Sequence, residues 1–258
     1  MRACSAVGLG YRIGDNVLLK DVDLDVAAGD FLGVIGPNGA GKTTLLGLLA
    51  GELTPTTGRV EIGGREISAA TLGELSLSRA VLPQHHLLQF AFRCLDVVMM
   101  GRYPHGGSEA DARGVADRVM LDTDTAHLAD RLYPTLSGGE QTRVSLGRVL
   151  AQATPVLLLD EPTGSLDLRH QELVMEMLRG LAASGLAIVA VLHDINLAAR
   201  FANRIMILEA GSIRAIGAPD DVLRPDVLRS VYGIDVSVVR HPEADCPLIL
   251  PIGGGRAG

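Results

Sequence analysis

The chain has 258 residues, 47% of them hydrophobic, which is enough apolar material for one large domain or two small ones with a buried core. Its formal net charge of −7 argues against a nucleic-acid-binding protein, which usually carries a basic stripe. Cys4, Cys94 and Cys246 show no disulfide framework or zinc-ligand spacing. The N-terminus lacks the apolar core of a signal peptide, and runs such as 186–192 are far shorter than the roughly 20 residues of a membrane-spanning helix.

Short apolar segments alternate with helical patterns along the chain. Four of them are apolar on both faces, as buried strands of a parallel sheet are: 31–35, 156–160, 187–193 and 204–208. The segment KTTLLGLLA, 42–50, is predicted to be the helix that follows the first strand. The two-residue turn in EIGGREI indicates a small antiparallel sheet. The sequence therefore predicts an α/β fold with a mostly parallel sheet flanked by helices.

The stretch from about Gln84 to Leu136 differs from this pattern, because it is rich in loops and in amphipathic helical periodicity, as in 108–124. The tail has a helical segment followed by two short strand-like pieces. We therefore expect a single domain, 1–258, with a helical insertion. The expected division is a core with a small antiparallel β part at 1–84 and 155–218, a helical subdomain at about 85–154 and a C-terminal extension at 219–258.

The stretch GPNGAGKTT fits the phosphate-loop pattern of a glycine, four residues and then glycine-lysine-serine/threonine. It follows a predicted strand and begins a predicted helix, which disfavours the alternative of an ordinary glycine-rich turn. The Lys42 ammonium can reach the β- and γ-phosphates, and the Thr43 hydroxyl can ligate Mg²⁺. The residues predicted to bind ATP here are Gly36, Pro37, Asn38, Gly39, Ala40, Gly41, Lys42, Thr43 and Thr44.

Two carboxylates stand at the end of the predicted strand 156–160. Asp160 can hold the magnesium shell and Glu161 can polarise an attacking water, because phosphoryl transfer depends on positioning and charge compensation. Solvated acids at a strand end are the alternative, which the upstream phosphate loop disfavours. His193 ends the next predicted strand, at the sheet edge where ligands bind in open α/β sheets. It could reach a γ-phosphate, although a core histidine is the alternative.

The stretch LSGGEQ places Ser137 and two glycines at the start of a predicted helix, which presents backbone N–H groups to a phosphate. No lysine follows to hold a nucleotide, so the segment looks like only part of an anion site. Gln84 follows another strand-like run, and Tyr11 precedes the phosphate loop. Neither residue indicates much by itself, since a lone tyrosine is usually a packing residue.

A phosphate loop, LSGGEQ and LLLDEP in this order resemble the ATP-binding cassette (ABC) ATPases, which are P-loop NTPases, over nearly the whole chain. The resemblance implies ATP and Mg²⁺ as cofactors and implies that Tyr11 stacks on adenine. It also implies that Gln84 senses the metal and the γ-phosphate and links the site to a membrane subunit. By this resemblance the catalytic residues are Glu161, His193 and Gln84, and the Mg²⁺ ligands are Thr43, Gln84 and Asp160.

Two cassettes of that family pair head to tail, and this implies a division of labour between chains. The signature segment of one chain would cover the γ-phosphate held by Lys42 of the partner subunit, which explains why the segment has no lysine. Its residues are Ser137, Gly138, Gly139 and Glu140, and those of the loop exchanged across the dimer are Ser165 and Asp167. Thr142 and Gly164 depart from the family's common glutamine and serine, but neither removes a group assigned to chemistry; Gly164 is expected to loosen the loop.

The single cassette, without fused membrane spans or room for long coiled coils, favours an importer subunit over a soluble cassette ATPase of chromosomes or ribosomes. Three stretches resemble cassettes of importers for iron chelates, cobalamin and haem, nearest to those for haem: 82–106, 191–223 and 228–251. The expected partners are a second copy of the chain, two copies of a permease and an extracytoplasmic haem-binding protein, with no nucleic acid. The expected place is the cytoplasmic face of the inner membrane. Siderophore or cobalamin cargo stays an alternative.

The insertion also contains aromatic side chains that are predicted to be exposed: Phe90, Phe92 and Tyr103. By the family resemblance a cytoplasmic helix of the permease docks here, and the alternative is that these aromatics form the insertion's own small core. His85 with His86, and also His105, could suggest haem ligation, but a histidine pair without a pocket is weak support for a ligand site. The alternative is that they lie on the surface of the insertion or at its contact with the membrane subunit.

Overall fold

The central element of the fold is a six-stranded sheet, seen in a computed structural model that describes residues 2–84 and 90–252. The strands are β1 Arg2–Ile13, β2 Asn16–Ala27, β3 Phe31–Ile35, β4 Thr57–Ile62, β5 Arg65–Glu66, β6 Arg79–Leu82, β7 Val156–Asp160, β8 Ala187–Val191, β9 Arg204–Glu209, β10 Ser212–Gly217, β11 Val236–Arg240 and β12 Pro247–Pro251. The α-helices are α1 Lys42–Ala50, α2 Leu72–Ser78, α3 Cys94–Met99, α4 Glu109–Asp122, α5 Gly138–Ala151, α6 Leu168–Ala183, α7 Ile195–Phe201, α8 Pro219–Val222 and α9 Pro225–Tyr232.

The order of the central sheet is β10-β9-β3-β8-β7-β6, in which every pair is parallel except β9 with β10. Every residue of β3, β7 and β8 is buried, as expected for strands covered by helices on both faces. The predicted α/β fold is therefore confirmed. The third predicted strand was too long, because β8 ends at Val191 and His193 lies in the loop beyond it.

A second, antiparallel sheet has the order β2-β1-β4-β5. The predicted turn joins β4 to β5, as expected. The two long strands β1 and β2 were not predicted. The reason is visible in their pairing, because register shifts at Ala6/Leu9, Leu9/Tyr11 and Tyr11/Arg12 break the alternation of buried and exposed residues.

The helices between β6 and β7 form a hydrophobic cluster of their own, which includes Val97, Met120 and Val144 from α3, α4 and α5. Phe90 and Tyr103 are not part of it, since their exposed fractions are 73% and 90%. The alternative in which these aromatics form the core of the insertion is therefore wrong. The histidine pair at 85–86 lies outside the described residues.

The C-terminal segment packs back onto the central sheet. Helices α8 and α9 precede a hairpin of β11 and β12, which agrees with the predicted helical segment and strand-like pieces. The Asn196 side chain on α7 ties the hairpin down, since it both donates to and accepts from the backbone of Ile249. None of the helices in the described part of the chain combines the length and hydrophobicity that a bilayer crossing requires.

Candidate active site

The phosphate loop connects β3 to α1 and is shaped by glycines that no other residue could replace. Gly36 and Gly41 have φ angles of 150° and 102°. A Cβ atom at Gly36 would lie 2.1 Å from the carbonyl oxygen of Leu208, and one at Gly41 would lie 2.8 Å from that of Leu18. The backbone therefore curls tightly before α1 begins at Lys42, which leaves the N–H groups of the helix N-terminus facing the loop.

Lys42 is held across the mouth of this loop. Its Nζ donates to the carbonyl oxygens of Gly36 at 2.8 Å and Pro37 at 2.9 Å. Burial lowers the pKa of the ammonium, and the nearby charges of Glu161 and Asp160 oppose that shift. The result is a desolvated cation fixed beside a ring of backbone N–H groups, which is an arrangement suited to phosphate.

Asp160 ends β7 with 5% of its surface exposed. Burial raises the pKa of its carboxyl, opposed by the Thr43 side chain, which hydrogen-bonds to it. Its Oδ1 atom has no hydrogen-bond partner. A buried carboxylate oxygen left without a partner beside a threonine hydroxyl is the donor set that Mg²⁺ prefers, so these residues fit the implied metal.

Glu161 brings the three predicted catalytic residues together. Its Oε1 accepts a hydrogen bond from Gln84 Nε2 at 2.8 Å and lies 2.5 Å from His193 Nε2. Its backbone has a φ of 54°, which is unusual for a glutamate and is maintained by a bond from its N–H to the Val191 carbonyl. The sheet explains the convergence, because Gln84, Glu161 and His193 follow the adjacent strands β6, β7 and β8.

These groups surround a cavity of about 300 Å³. Its lining consists of the phosphate-loop residues 38–44, the three convergent side chains and Leu18 from β2. Leu18 was not predicted, because an aliphatic residue in a strand carries no sequence signal for a ligand. Tyr11 does not line this cavity; it lines another of about 250 Å³, next to Leu19 and Thr57. The predicted adenine residue is therefore adjacent to the phosphate site, not within it.

Tyr232 is a second residue that the sequence did not reveal. It ends α9, where burial raises the pKa of its phenol to about 12 and a hydrogen bond from the Gly36 backbone N–H opposes that rise. Tyr232 also lines a cavity of about 470 Å³ together with His193. The C-terminal segment thus touches the first glycine of the phosphate loop, and no local pattern in the sequence indicates that contact.

The signature segment begins α5 as predicted, with Ser137 as its N-cap. The Ser137 backbone N–H and hydroxyl both donate to Glu140 Oε2 at 2.8 Å, and the bond from the N–H holds the pKa of Glu140 below its usual range. Glu140 therefore caps the helix, while Ser137 and Gly138 are exposed to solvent. The four residues of this segment do not line the phosphate-loop cavity of their own chain. They are Ser137, Gly138, Gly139 and Glu140.

The loop 164–167 after β7 packs against the signature helix of the same chain. At its end Asp167 caps α6, accepting from the backbone N–H and the ring Nδ1 of His170 at 2.9 and 2.7 Å. These bonds hold the pKa of Asp167 below its usual range. A Cβ atom at Gly164 would meet Glu161 Oε2 at 3.5 Å, an ordinary contact, so the serine common in related proteins would fit there.

Comparison with known proteins connects this geometry to one family. A family model described as "ABC transporter" matches residues 19–164. The hemin import ATP-binding protein HmuV of Gloeobacter violaceus is 48% identical over 257 residues, covering 96% of this chain and 94% of its own. The protein of the same name from Thermobifida fusca is 48% identical over 247 residues, covering 95% of this chain and 87% of its own.

Two solved structures have a similar fold. A chain from a metal-chelate type ABC transporter in an inward-facing conformation superposes with a TM-score of 0.83 and 28% identity, covering 97% of each chain. A dimeric bacterial ABC transporter cassette superposes with a TM-score of 0.77 and 29% identity, covering 83% of this chain and 98% of its own.

Proposed function

The chain belongs to the ABC transporter family, and from that premise we propose that it is the ATP-hydrolysing subunit of a haem importer. The observation that carries the ATPase assignment is the convergence of Gln84 and His193 on one oxygen of Glu161, beside a phosphate loop. Haem is proposed as the cargo because relatives 44–48% identical over more than nine-tenths of this chain are named hemin import proteins.

The proposed chemistry assigns a separate task to each side chain. Lys42 and the loop N–H groups bind the β- and γ-phosphates, and Thr43, Gln84 and Asp160 would hold Mg²⁺, which compensates phosphate charge when bound. Glu161 orients and polarises the attacking water, since a carboxylate at this sheet edge is within reach of the γ-phosphate. Gln84 and His193 hold the Glu161 carboxylate in place until nucleotide draws them away.

Hydrolysis is proposed to require two chains. The signature residues of the same chain do not line the phosphate-loop cavity. The exposed start of α5 is available to cover a phosphate held by the partner subunit's Lys42, with Ser165 and Asp167 at the same face. ATP would then hold two copies together, and its hydrolysis would release them.

The aromatic surface of the helical segment is proposed as the contact with the membrane subunit. Phe90 packs edge-on against Phe92, with ring centroids 6.2 Å apart, and both rings are exposed together with Tyr103. Large apolar side chains that lie outside any core indicate a partner site. We therefore propose peripheral association at the cytoplasmic face of the inner membrane, with two copies of the permease and an extracytoplasmic haem-binding protein.

The test is the cargo dependence of ATP hydrolysis in the reconstituted complex. The chain and its permease are placed in liposomes, and ATPase rates are measured with binding protein carrying haem, a ferric siderophore or cobalamin. We expect stimulation by haem alone, and none in a complex whose ATPase carries Glu161→Gln. Stimulation by siderophore or cobalamin without any response to haem would replace the proposed cargo, while leaving the ATPase assignment standing.

A further inference from the structure

Thr142 joins the signature helix to the loop that follows β7. Its side chain is almost fully buried, and its Oγ1 lies 3.0 Å from the Gly138 carbonyl oxygen and 2.7 Å from the Ser165 hydroxyl. Both short distances are satisfied when Thr142 donates to the carbonyl, one turn earlier in α5, and Ser165 donates to Thr142. The Ser165 hydroxyl is also 3.4 Å from the same carbonyl, so all three groups converge.

Backbone packing holds this loop against the same turn of helix. A Cβ atom on Gly139 would lie 3.1 Å from the Ser165 carbonyl oxygen and 3.5 Å from the Leu166 side chain. A Cβ atom on Gly138 would lie 3.8 Å from its nearest neighbour, the Ser165 Cβ. The missing side chain at Gly139 therefore allows the loop to approach, and the Thr142 hydroxyl holds it in that approach.

We propose that Thr142 is a positioning residue that fixes Ser165, and with it the loop 164–167, to the first turn of α5. The inference rests on the proposed function, because both elements belong to the face that would cover the partner subunit's nucleotide. Joined in this way, the loop and the signature turn move as one unit. Dimer closure then has to order a single unit instead of two separate segments, so less conformational entropy is lost on dimerisation.

The variants that test this are made on a Glu161→Gln background, in which we expect ATP-bound dimers to accumulate because hydrolysis is blocked. Thr142→Val keeps the shape of the side chain and removes the hydroxyl, whereas Thr142→Ser keeps the hydroxyl. Dimerisation is followed by light scattering as ATP is titrated. We expect Thr142→Val to raise the ATP concentration for half-maximal dimerisation about 5- to 10-fold, because, of its two lost bonds, the one with Ser165 joins the loop to the helix, and Thr142→Ser to restore it.

The chain offers a matched control in Thr123. Its buried hydroxyl also bonds a carbonyl four residues earlier, Val119 at 2.9 Å, and a second hydroxyl, Thr125 at 2.9 Å. Thr123→Val therefore removes two bonds of the same kinds at the C-terminal end of α4, where the hydroxyl bonds neither the signature turn nor the loop 164–167. It should lower Tm about as much as Thr142→Val while leaving ATP-driven dimerisation at the parent value.

A second pair of measurements separates positioning from general damage. Ser165→Ala removes the other hydroxyl of the contact, from an exposed loop. Because both substitutions break the same bond, the double variant with Thr142→Val should dimerise no more weakly than either single variant. Binding of a fluorescent ATP analogue to the monomer, which depends on Lys42, should be unchanged in every variant.

The inference would be overturned if Thr142→Val needed the same ATP concentration for half-maximal dimerisation as Thr123→Val does. It would also be overturned if the effects of Thr142→Val and Ser165→Ala on that concentration were fully additive in the double variant. Failure of the Glu161→Gln parent itself to dimerise with ATP is a different result. It would overturn the proposed composite site, and the inference with it.

Discussion

The phosphate loop and the signature segment both stand at helix N-termini, but the two helices are capped in opposite ways. Helix α1 follows Gly41 in the left-handed region and has no side-chain cap, so its first N–H groups are left for a ligand. Helix α5 has a complete capping box of Ser137 and Glu140. The N-terminus of α1 is therefore open to a ligand, whereas the N-terminus of α5 is already hydrogen-bonded by side chains of its own chain.

This difference in capping assigns nucleotide binding to the phosphate loop and dimer closure to the signature segment. The uncapped loop contains a desolvated lysine and lies beside the Asp160 carboxylate, whose Oδ1 has no hydrogen-bond partner, so substitutions at these residues should change nucleotide binding and chemistry. The capped segment is exposed at Ser137 and Gly138 and does not line the phosphate-loop cavity of its own chain, so substitutions there should change dimerisation while leaving monomer binding intact.

The largest effect is expected from Glu161→Gln on the chemical side. The variant keeps the shape of the side chain but loses the charge that polarises water, so turnover should fall on the order of 10²-fold or more while ATP still binds. ATPase assays and light scattering with ATP measure the two properties. Glu176→Gln, on an exposed part of α6, is the control and should be active. Hydrolysis by Glu161→Gln at close to the parent rate would show that the carboxylate is not catalytic.

Mixing two inactive variants tests whether the two regions act in different chains. Ser137→Arg blocks the capped segment and Lys42→Ala disables the loop, so each homodimer should be inactive. A mixed dimer contains one intact site, and an equal mixture should recover about a quarter of the parent rate, because half of the dimers are mixed. Full activity of either variant as an enforced monomer would contradict the head-to-tail arrangement.

Asp160→Asn should make the nucleotide-free protein more stable and remove its response to Mg²⁺ and ATP. Burial raises the pKa of Asp160, so its folded state holds the proton more tightly than its unfolded state. That contribution to stability is present below the unfolded pKa and is lost as pH rises through the folded pKa, so at neutral pH the charge is a cost. We expect the variant to have the higher Tm at pH 7, by a margin that shrinks as pH falls toward the pKa of the unfolded state.

Melting curves with and without Mg²⁺ and ATP measure both parts of this prediction. Lys42 loses one counter-charge in the variant, but Glu161 contributes the larger share of its electrostatic stabilisation. A lower Tm of the free variant at pH 7 would mean that Asp160 is better compensated than its unpartnered oxygen indicates.

The smallest effect separates the two glycines of the capped segment. Replacing either by alanine in α5 should favour the helix by up to about 1 kcal/mol. Gly138→Ala should show this gain, because its Cβ meets only an ordinary contact at 3.8 Å. Gly139→Ala should not, because the Ser165 carbonyl at 3.1 Å must move, and ATP-driven dimerisation should weaken. Urea unfolding compares the pair, and equal stabilities would show that the loop yields without cost.

The sequence predicted the central sheet better than the antiparallel one, for a reason that lies in the residues. Buried parallel strands such as β3 and β8 are short, wholly apolar runs, and each can be recognised in the sequence by itself. The P-loop NTPase fold expected from the motifs is confirmed by the matching cassettes. In β1 the bulges around Leu9 disrupt the alternation that marks a half-buried strand.

By itself the sequence determined those features of the site whose chemistry is local. The turn and helix of 36–50, the strand that ends in the paired acids 160–161 and the helix start at Ser137 each depend on neighbouring residues, and each formed as predicted. Only the tertiary structure decided which distant groups meet. Gln84 and His193 reach Glu161 because β6, β7 and β8 are neighbours in the sheet, and periodicity along a chain contains no information about strand order. The bond between Thr142 and Ser165 likewise exists only because the loop after β7 folds back onto α5.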